Sequence, residues 1–152
     1  MKAKLLISSC LCGHNTKYNG GNNLIPELKN IVKYFELYPI CPEVMGGLST
    51  PREPSEIRGE KVVSRLEADV TELFLSGADT ALKIAQNQGI TLALLKEASP
   101  SCGVKLIYDG SFSGKKISGS GKTTELLRRN GILVFSENEI DLLLKEIDID
   151  EF

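Results

Sequence analysis

The chain has 152 residues, 41% hydrophobic and 25% charged, with a net charge of −2 and four cysteines. That is the size of one packed domain, spanning residues 1–152, and the composition is neither disordered nor fibrous. The charge balance argues against duplex nucleic acid as a partner but leaves room for a small nucleotide. No stretch approaches the ~18 apolar residues of a membrane span. The N-terminus runs straight into a strand-length apolar stretch without a signal-peptide pattern, so a cytoplasmic location with reduced thiols is expected.

Residues 5–9 read as a buried strand, followed by a loop rich in Gly and Asn over 10–23. Pro26 opens a helix to about Tyr34, with Leu24, Leu28, Ile31, Val32 and Phe35 at helical spacing. Residues 37–40 form a second strand, and Pro39 argues for an edge or irregular placement. Residues 42–58 form a long Pro/Gly-rich connection, of the kind that is usually functional or mobile. Residues 60–64 suggest a minor strand. A helix then starts near Ala68 or Asp69, with Val70, Leu73, Phe74, Gly77, Ala78, Ala81, Leu82 and Ala85 as its stripe and Gly89 as its stop.

Residues 91–95 form a third strand. Residues 97–121 are again loop-like, with a hairpin around Asp109-Gly110. A short helix over 123–129 ends at Asn130-Gly131, and residues 132–135 form the fourth strand. Ser136 caps a last helix to about Ile147, with Glu139 at the capping-box position. This alternation implies an α/β fold, a single flavodoxin- or Rossmann-like domain with a mostly parallel sheet and helices on both faces. The strand order 2-1-3-4 puts the first three strands side by side.

That order gathers three distant cysteines. Cys10, Cys41 and Cys102 each follow one of these strands, so they meet at the carboxyl edge of the sheet, where open α/β sheets bind ligands. Three thiolates with an open fourth position suit a metal centre that does chemistry. Composition alone leaves buried free thiols as a competing reading. No cysteine pair has the C-x-x-C spacing of a zinc knuckle or a thioredoxin site.

Three loops carry a resemblance. They are the S-C-L-x-G stretch from Ser9, with its turn at residues 18–21; C-P-E-V-x-G-G-L-x-T-P-R from Cys41; and K-E-x-S-P-S-C-G from Lys96. With Y-D-G-S-F at 108–112 and the Gly119/Gly121 pair, they resemble the thiouracil desulfidase family over nearly the whole chain. The resemblance implies a [4Fe–4S] cluster held by Cys10, Cys41 and Cys102, its fourth iron open to a substrate's sulfur. It implies non-redox conversion of a thiolated pyrimidine base, nucleoside or nucleotide, such as 2-thiouracil or 4-thiouridine and its monophosphate, to the oxo form, with water supplying oxygen and sulfide leaving. It gives Glu43 the acid/base role. Ser101 becomes the hydrogen-bonding partner of water or substrate. Relatives often carry an aliphatic residue at position 12, so Cys12 is expected to be a small buried hydrophobe. His14 is expected to be a polar loop residue.

Other residues have weaker signals. Gly119-Ser120-Gly121-Lys122-Thr123 looks like the end of a P-loop, but Lys116 stands where the first glycine belongs and no strand leads in. A phosphate cradle at Gly119, Gly121 and Lys122 is one reading, and plain loop-to-helix punctuation is the other. Glu97 and Arg52 are expected to fix loops, with an anion as the other partner for Arg52. Tyr108 and Phe112 are expected to stack on a pyrimidine or to pack as a lid. Two other classes of function compete: an iron–sulfur or zinc protein that senses or hands on sulfur without hydrolysis, and a nucleotide-binding module built on residues 119–123. The sequence does not fix the oligomeric state.

Overall fold

The computed structural model describes residues 2–151, with side chains to Ile147. Its centre is a four-stranded parallel sheet in the order β2-β1-β5-β8. These strands are Ala3–Ser8 (β1), Phe35–Ile40 (β2), Leu92–Leu95 (β5) and Leu133–Ser136 (β8). The order is the one expected for the four parallel strands. Pro39 lies opposite Ile7 on the outer strand β2, where a missing N–H faces no partner strand.

Alternation along β1 explains the two layers. Leu6 points to one face and packs with Ala81, Leu82 and Ala85 of helix α3 (Thr71–Gln88) and Leu127 of α4 (Lys122–Arg129). Leu5 and Ile7 point to the other face and pack with Ile31 of α1 (Leu28–Tyr34) and with Ile140 and Leu143 of α5 (Ile140–Glu151). A strand buried on both faces reads as a continuous apolar run, as Leu5-Leu6-Ile7 and Leu92-Ala93-Leu94-Leu95 do.

Several element limits differ from the sequence reading for local reasons. Phe35 begins β2 rather than closing the helical stripe, because parallel pairing with Ala3 claims it. The final helix starts at Ile140, yet the capping-box return bond exists: Ser136 N–H donates to Glu139 Oε1 at 3.1 Å. The long connection after Cys41 is not unstructured. It holds a one-turn helix α2 (Pro42–Met45) and strand β3 (Ser55–Arg58), which pairs antiparallel with β4 (Lys61–Ser64). The loop after Cys102 carries a hairpin of β6 (Leu106–Tyr108) and β7 (Lys116–Ser118), with a wide connection in place of a two-residue turn. Ile57, Val62, Phe74 and Ile107 form a small core beneath the two hairpins.

Helix α2 sits directly on α3, and glycines make room. A Cβ on Gly77 would collide with the Pro42 carbonyl, and one on Gly46 with the Leu73 carbonyl. In an isolated helix Gly→Ala gains about 1 kcal/mol. Here the added methyl meets backbone that cannot give way, so Gly77→Ala should destabilise by about 2 kcal/mol in urea unfolding. Unchanged stability would contradict this packing.

Candidate functional site

Cys10, Cys41 and Cys102 border one cavity of about 500 Å³ at the carboxyl edge of β1, β2 and β5. Each is placed by a different local device. Cys10 lies in a 3-10 turn (Ser9–Cys12) that continues β1, and its carbonyl accepts from Gly13 and Asn23 N–H. Cys41 directly follows β2 and precedes Pro42, the first residue of α2. Its thiol lies 3.8 Å from the Thr16 carbonyl. Cys102 is buried in a turn gathered by Ser99, whose Oγ accepts from Ser101 and Cys102 N–H, both at 3.1 Å.

Burial favours the protonated form of two of these thiols, Cys10 and Cys102. Burial pushes Cys102 up to about 12, against hydrogen bonds from Ser8 and Ser101, and charge on Cys10 or Cys41 adds to the rise. Burial also raises Cys10, opposed by Asn23 and by the nearby Lys96 cation. Among the described residues, no three His, Cys, Asp or Glu side chains converge around a single ion. The three thiols ring a roomy cavity instead, a soft donor set suited to a multi-iron cluster.

Glu43 and Ser101 border the same cavity and touch: Ser101 Oγ donates to Glu43 Oε2 at 3.1 Å. The other carboxylate oxygen of Glu43 accepts from Arg52 Nε at 3.0 Å. Arg52 is nearly buried, with 7% of its side chain exposed. Its remaining N–H groups donate to the carbonyls of Thr16 and Ser49 and to Thr50 Oγ1. Arg52 thus ties the first and second cysteine loops together and aims Glu43 toward the third. Its partner is a carboxylate on the protein, not a free anion.

The third loop has its own brace. Oε1 of buried Glu97 accepts from the N–H groups of Ala98, Val104, Lys105 and Leu106. Burial alone would raise this carboxyl, but the ring of N–H donors outweighs it and holds Glu97 below the usual carboxylate range. Sequence reasoning expected that role. It missed Ser99, whose signal was the Ser-Pro-Ser run just before Cys102, and it missed Lys17, Glu56, Arg65 and Lys116, all bordering the cavity.

Gly119, Gly121 and Lys122 do not border the cavity. The N–H groups of Gly121, Lys122 and Thr123 donate to the carbonyls of Gly103, Pro100 and Ser101. A Cβ at Gly121 would collide with the Ser101 carbonyl. The start of α4 therefore braces the Cys102 turn from behind, and the N–H groups a phosphate cradle needs are already taken. Cys12 is half-buried beside the α1/α5 core, its thiol pushed up by burial to about 11, and it is not among the residues around the cavity. His14 is exposed on the first loop.

A parallel sheet whose carboxyl edge gathers three thiols, a carboxylate and a hydroxyl defines an α/β protein with a cysteine-lined cavity at its sheet edge. A sequence profile of the family described as 2-thiouracil desulfurase matches residues 5–139. The chain belongs to that family, which is a family of enzymes. It is 43% identical over 150 residues to the uncharacterized protein YbbK of Bacillus subtilis (strain 168), covering 92% of this chain and 99% of that one. Among solved structures it superposes on the [4Fe–4S]-dependent thiouracil desulfidase TudS with a TM-score of 0.91 and 45% identity. That match covers 97% of this chain and 99% of the other.

The raised thiols predict a pH dependence. Folded Cys102 keeps its proton to about pH 12, whereas an unfolded cysteine loses it near the ordinary thiol value of 9.0. Its contribution to stability is therefore complete below pH 9 and fades as pH climbs toward 12. Urea unfolding of the metal-free protein should show the gap between wild type and Cys102→Ala shrinking over that range. A gap that is constant or widens would contradict the burial of this thiol.

Proposed function

We propose that this chain, acting as one desulfidase domain, removes sulfur from a thiolated pyrimidine and releases sulfide. The balance is simple: the thiocarbonyl and one water give the carbonyl and hydrogen sulfide, with no electron gained or lost. The observation that carries this reading is one cavity bordered by three thiols and by a carboxylate–hydroxyl pair, in a chain of the 2-thiouracil desulfurase family.

Cys10, Cys41 and Cys102 would hold a [4Fe–4S] cluster, in line with the [4Fe–4S]-dependent TudS as structural neighbour. Bound there, such a cluster would supply a Lewis acid for the soft thiocarbonyl sulfur. The protein must then handle protons. Arg52 occupies Oε1 of Glu43, which leaves Oε2 facing Ser101. Glu43 takes the proton of the attacking water, and Ser101 orients that water or the ring through its hydroxyl. Both groups are locked by neighbouring loops, which spares reorganisation during the reaction.

The cavity edge favours the nucleotide over the free base. Lys17, Arg65 and Lys116 border it, while two of the acids there, Glu43 and Glu56, are occupied by Arg52 and by backbone N–H groups. A phosphate on the substrate would meet these cations, although with a different set of residues from the start of α4. A reducing cytosol suits the free thiols. Among the described residues no helix is long and apolar enough to cross a membrane.

The test is turnover after oxygen-free reconstitution. Wild type should convert 4-thiouridine monophosphate or 2-thiouracil to the oxo compound with equimolar sulfide. Glu43→Gln and Ser101→Ala should each keep their iron and lose about 100-fold or more in kcat. Loss of iron in parallel with activity would make them structural instead. An intact cluster that yields no sulfide from any thiopyrimidine would sink the desulfidase reading and favour a carrier or sensor of sulfur.

A further inference from the structure

The end of β6 and the connection that follows it bring aromatic residues to the cavity. Tyr108 and Phe112 both border it. Phe112 has a backbone φ of +57°, in the left-handed region that a bulky side chain avoids. Gly110 in the same connection has φ +93°, which glycine adopts without strain. A Cβ there would also lie 2.7 Å from Arg58 Cγ and 2.9 Å from the Ile57 carbonyl oxygen. A disfavoured conformation at Phe112 persists only if groups outside the connection impose it.

Those groups lie on β3. Glu56 is buried, and its Oε1 accepts from Gly110 N–H at 3.0 Å and from Phe112 N–H at 3.1 Å. Arg58 Nε donates to the Gly110 carbonyl at 2.7 Å. The Arg58 guanidinium also lies 5.6 Å from the Phe112 ring centroid, and it is paired with Glu67. The backbone of Phe112 and the position of its ring are thus fixed from the neighbouring strand. Simple lid packing would need neither a buried carboxylate spent on two loop N–H groups nor a left-handed phenylalanine.

We propose that Phe112 is the wall on which the substrate's pyrimidine ring stacks, and that Glu56 is the positioning residue that holds it there. This rests on the thiopyrimidine reading above. Stacking fixes the plane of a flat ring, and so the direction in which its thiocarbonyl points. The contact is to the π-face, so it is common to thio and oxo rings. Discrimination for sulfur is left to the cysteine-bordered end of the cavity.

The chain contains no tryptophan, so Phe112→Trp introduces a single indole at the proposed wall. Its emission should fall saturably on titration with uridine monophosphate, the unreactive oxo nucleotide. Adding Glu56→Ala should abolish that response. Glu56→Gln should retain it, since the amide oxygen still accepts from both N–H groups. In turnover, Phe112→Leu should raise KM for 4-thiouridine monophosphate about tenfold, with iron content unchanged and kcat moved less than KM. An unresponsive indole, or a wild-type KM in Phe112→Leu, overturns the stacking wall. Failure of Glu56→Gln to rescue overturns the role of Glu56. Wild type with full iron and no turnover overturns the desulfidase reading separately, because the indole titration does not depend on turnover.

Discussion

Parallel pairing of β1 with β2 on one side and β5 on the other is the constraint on which the site depends. Ser8 is paired with Ile40, and Ile7 with Leu94, so the three strands end at the same edge. Cys10 and Cys41 follow within two residues of those ends, and Cys102 is returned to them by the Ser99 turn and the start of α4. The hydrogen-bond ladder thus turns a separation of dozens of residues along the chain into adjacency around one cavity. The apolar faces of Leu5, Leu6 and Ile7, fully buried between two helical layers, hold that ladder in register.

The carboxylates around this cavity are each held by defined donors. Arg52 and Glu43 form an ion pair with 7% and 15% of their side chains exposed. Such a pair adds little net stability, because desolvation offsets much of its attraction. Its value is orientation. The planar guanidinium engages Glu43 and three points on the loops at once, which a lysine could not do. Glu97 acts differently: it replaces water for four N–H groups that a tight turn leaves without backbone partners. Glu56 does the same for two N–H groups of the β6–β7 connection. Three carboxylates thus border the cavity, and each has a distinct partner.

The sheet was readable because buried parallel strands leave uninterrupted apolar runs, and the convergence of Cys10, Cys41 and Cys102 follows once the strand order is known. Helix α3 was readable from its stripe and from Gly89, which ends it at φ +66°. Helix α2 and strand β3 were not, since Pro42, Gly46, Gly47, Pro51 and Pro54 read as breakers, while tertiary contact with α3 and pairing with β4 make the structure. The start of α4 misled for a related reason. Gly-Ser-Gly-Lys-Thr has the chemistry of an anion cradle, but its N–H groups are satisfied by carbonyls of a loop some twenty residues earlier, about which local spacing says nothing. Glu56 and Arg65 carry no motif at all, and only the folding of the β3–β4 hairpin brings them to the cavity.

The stoichiometry of the proposed [4Fe–4S] cluster is the most direct test of this account. Iron and labile sulfide should be measured per chain after oxygen-free purification, in wild type and in Cys10→Ala, Cys41→Ala and Cys102→Ala. About four of each per wild-type chain, lost when any one thiol is removed, is the expected result. Full iron in a variant lacking one of the three, or a single tightly held zinc in place of iron, would contradict the account.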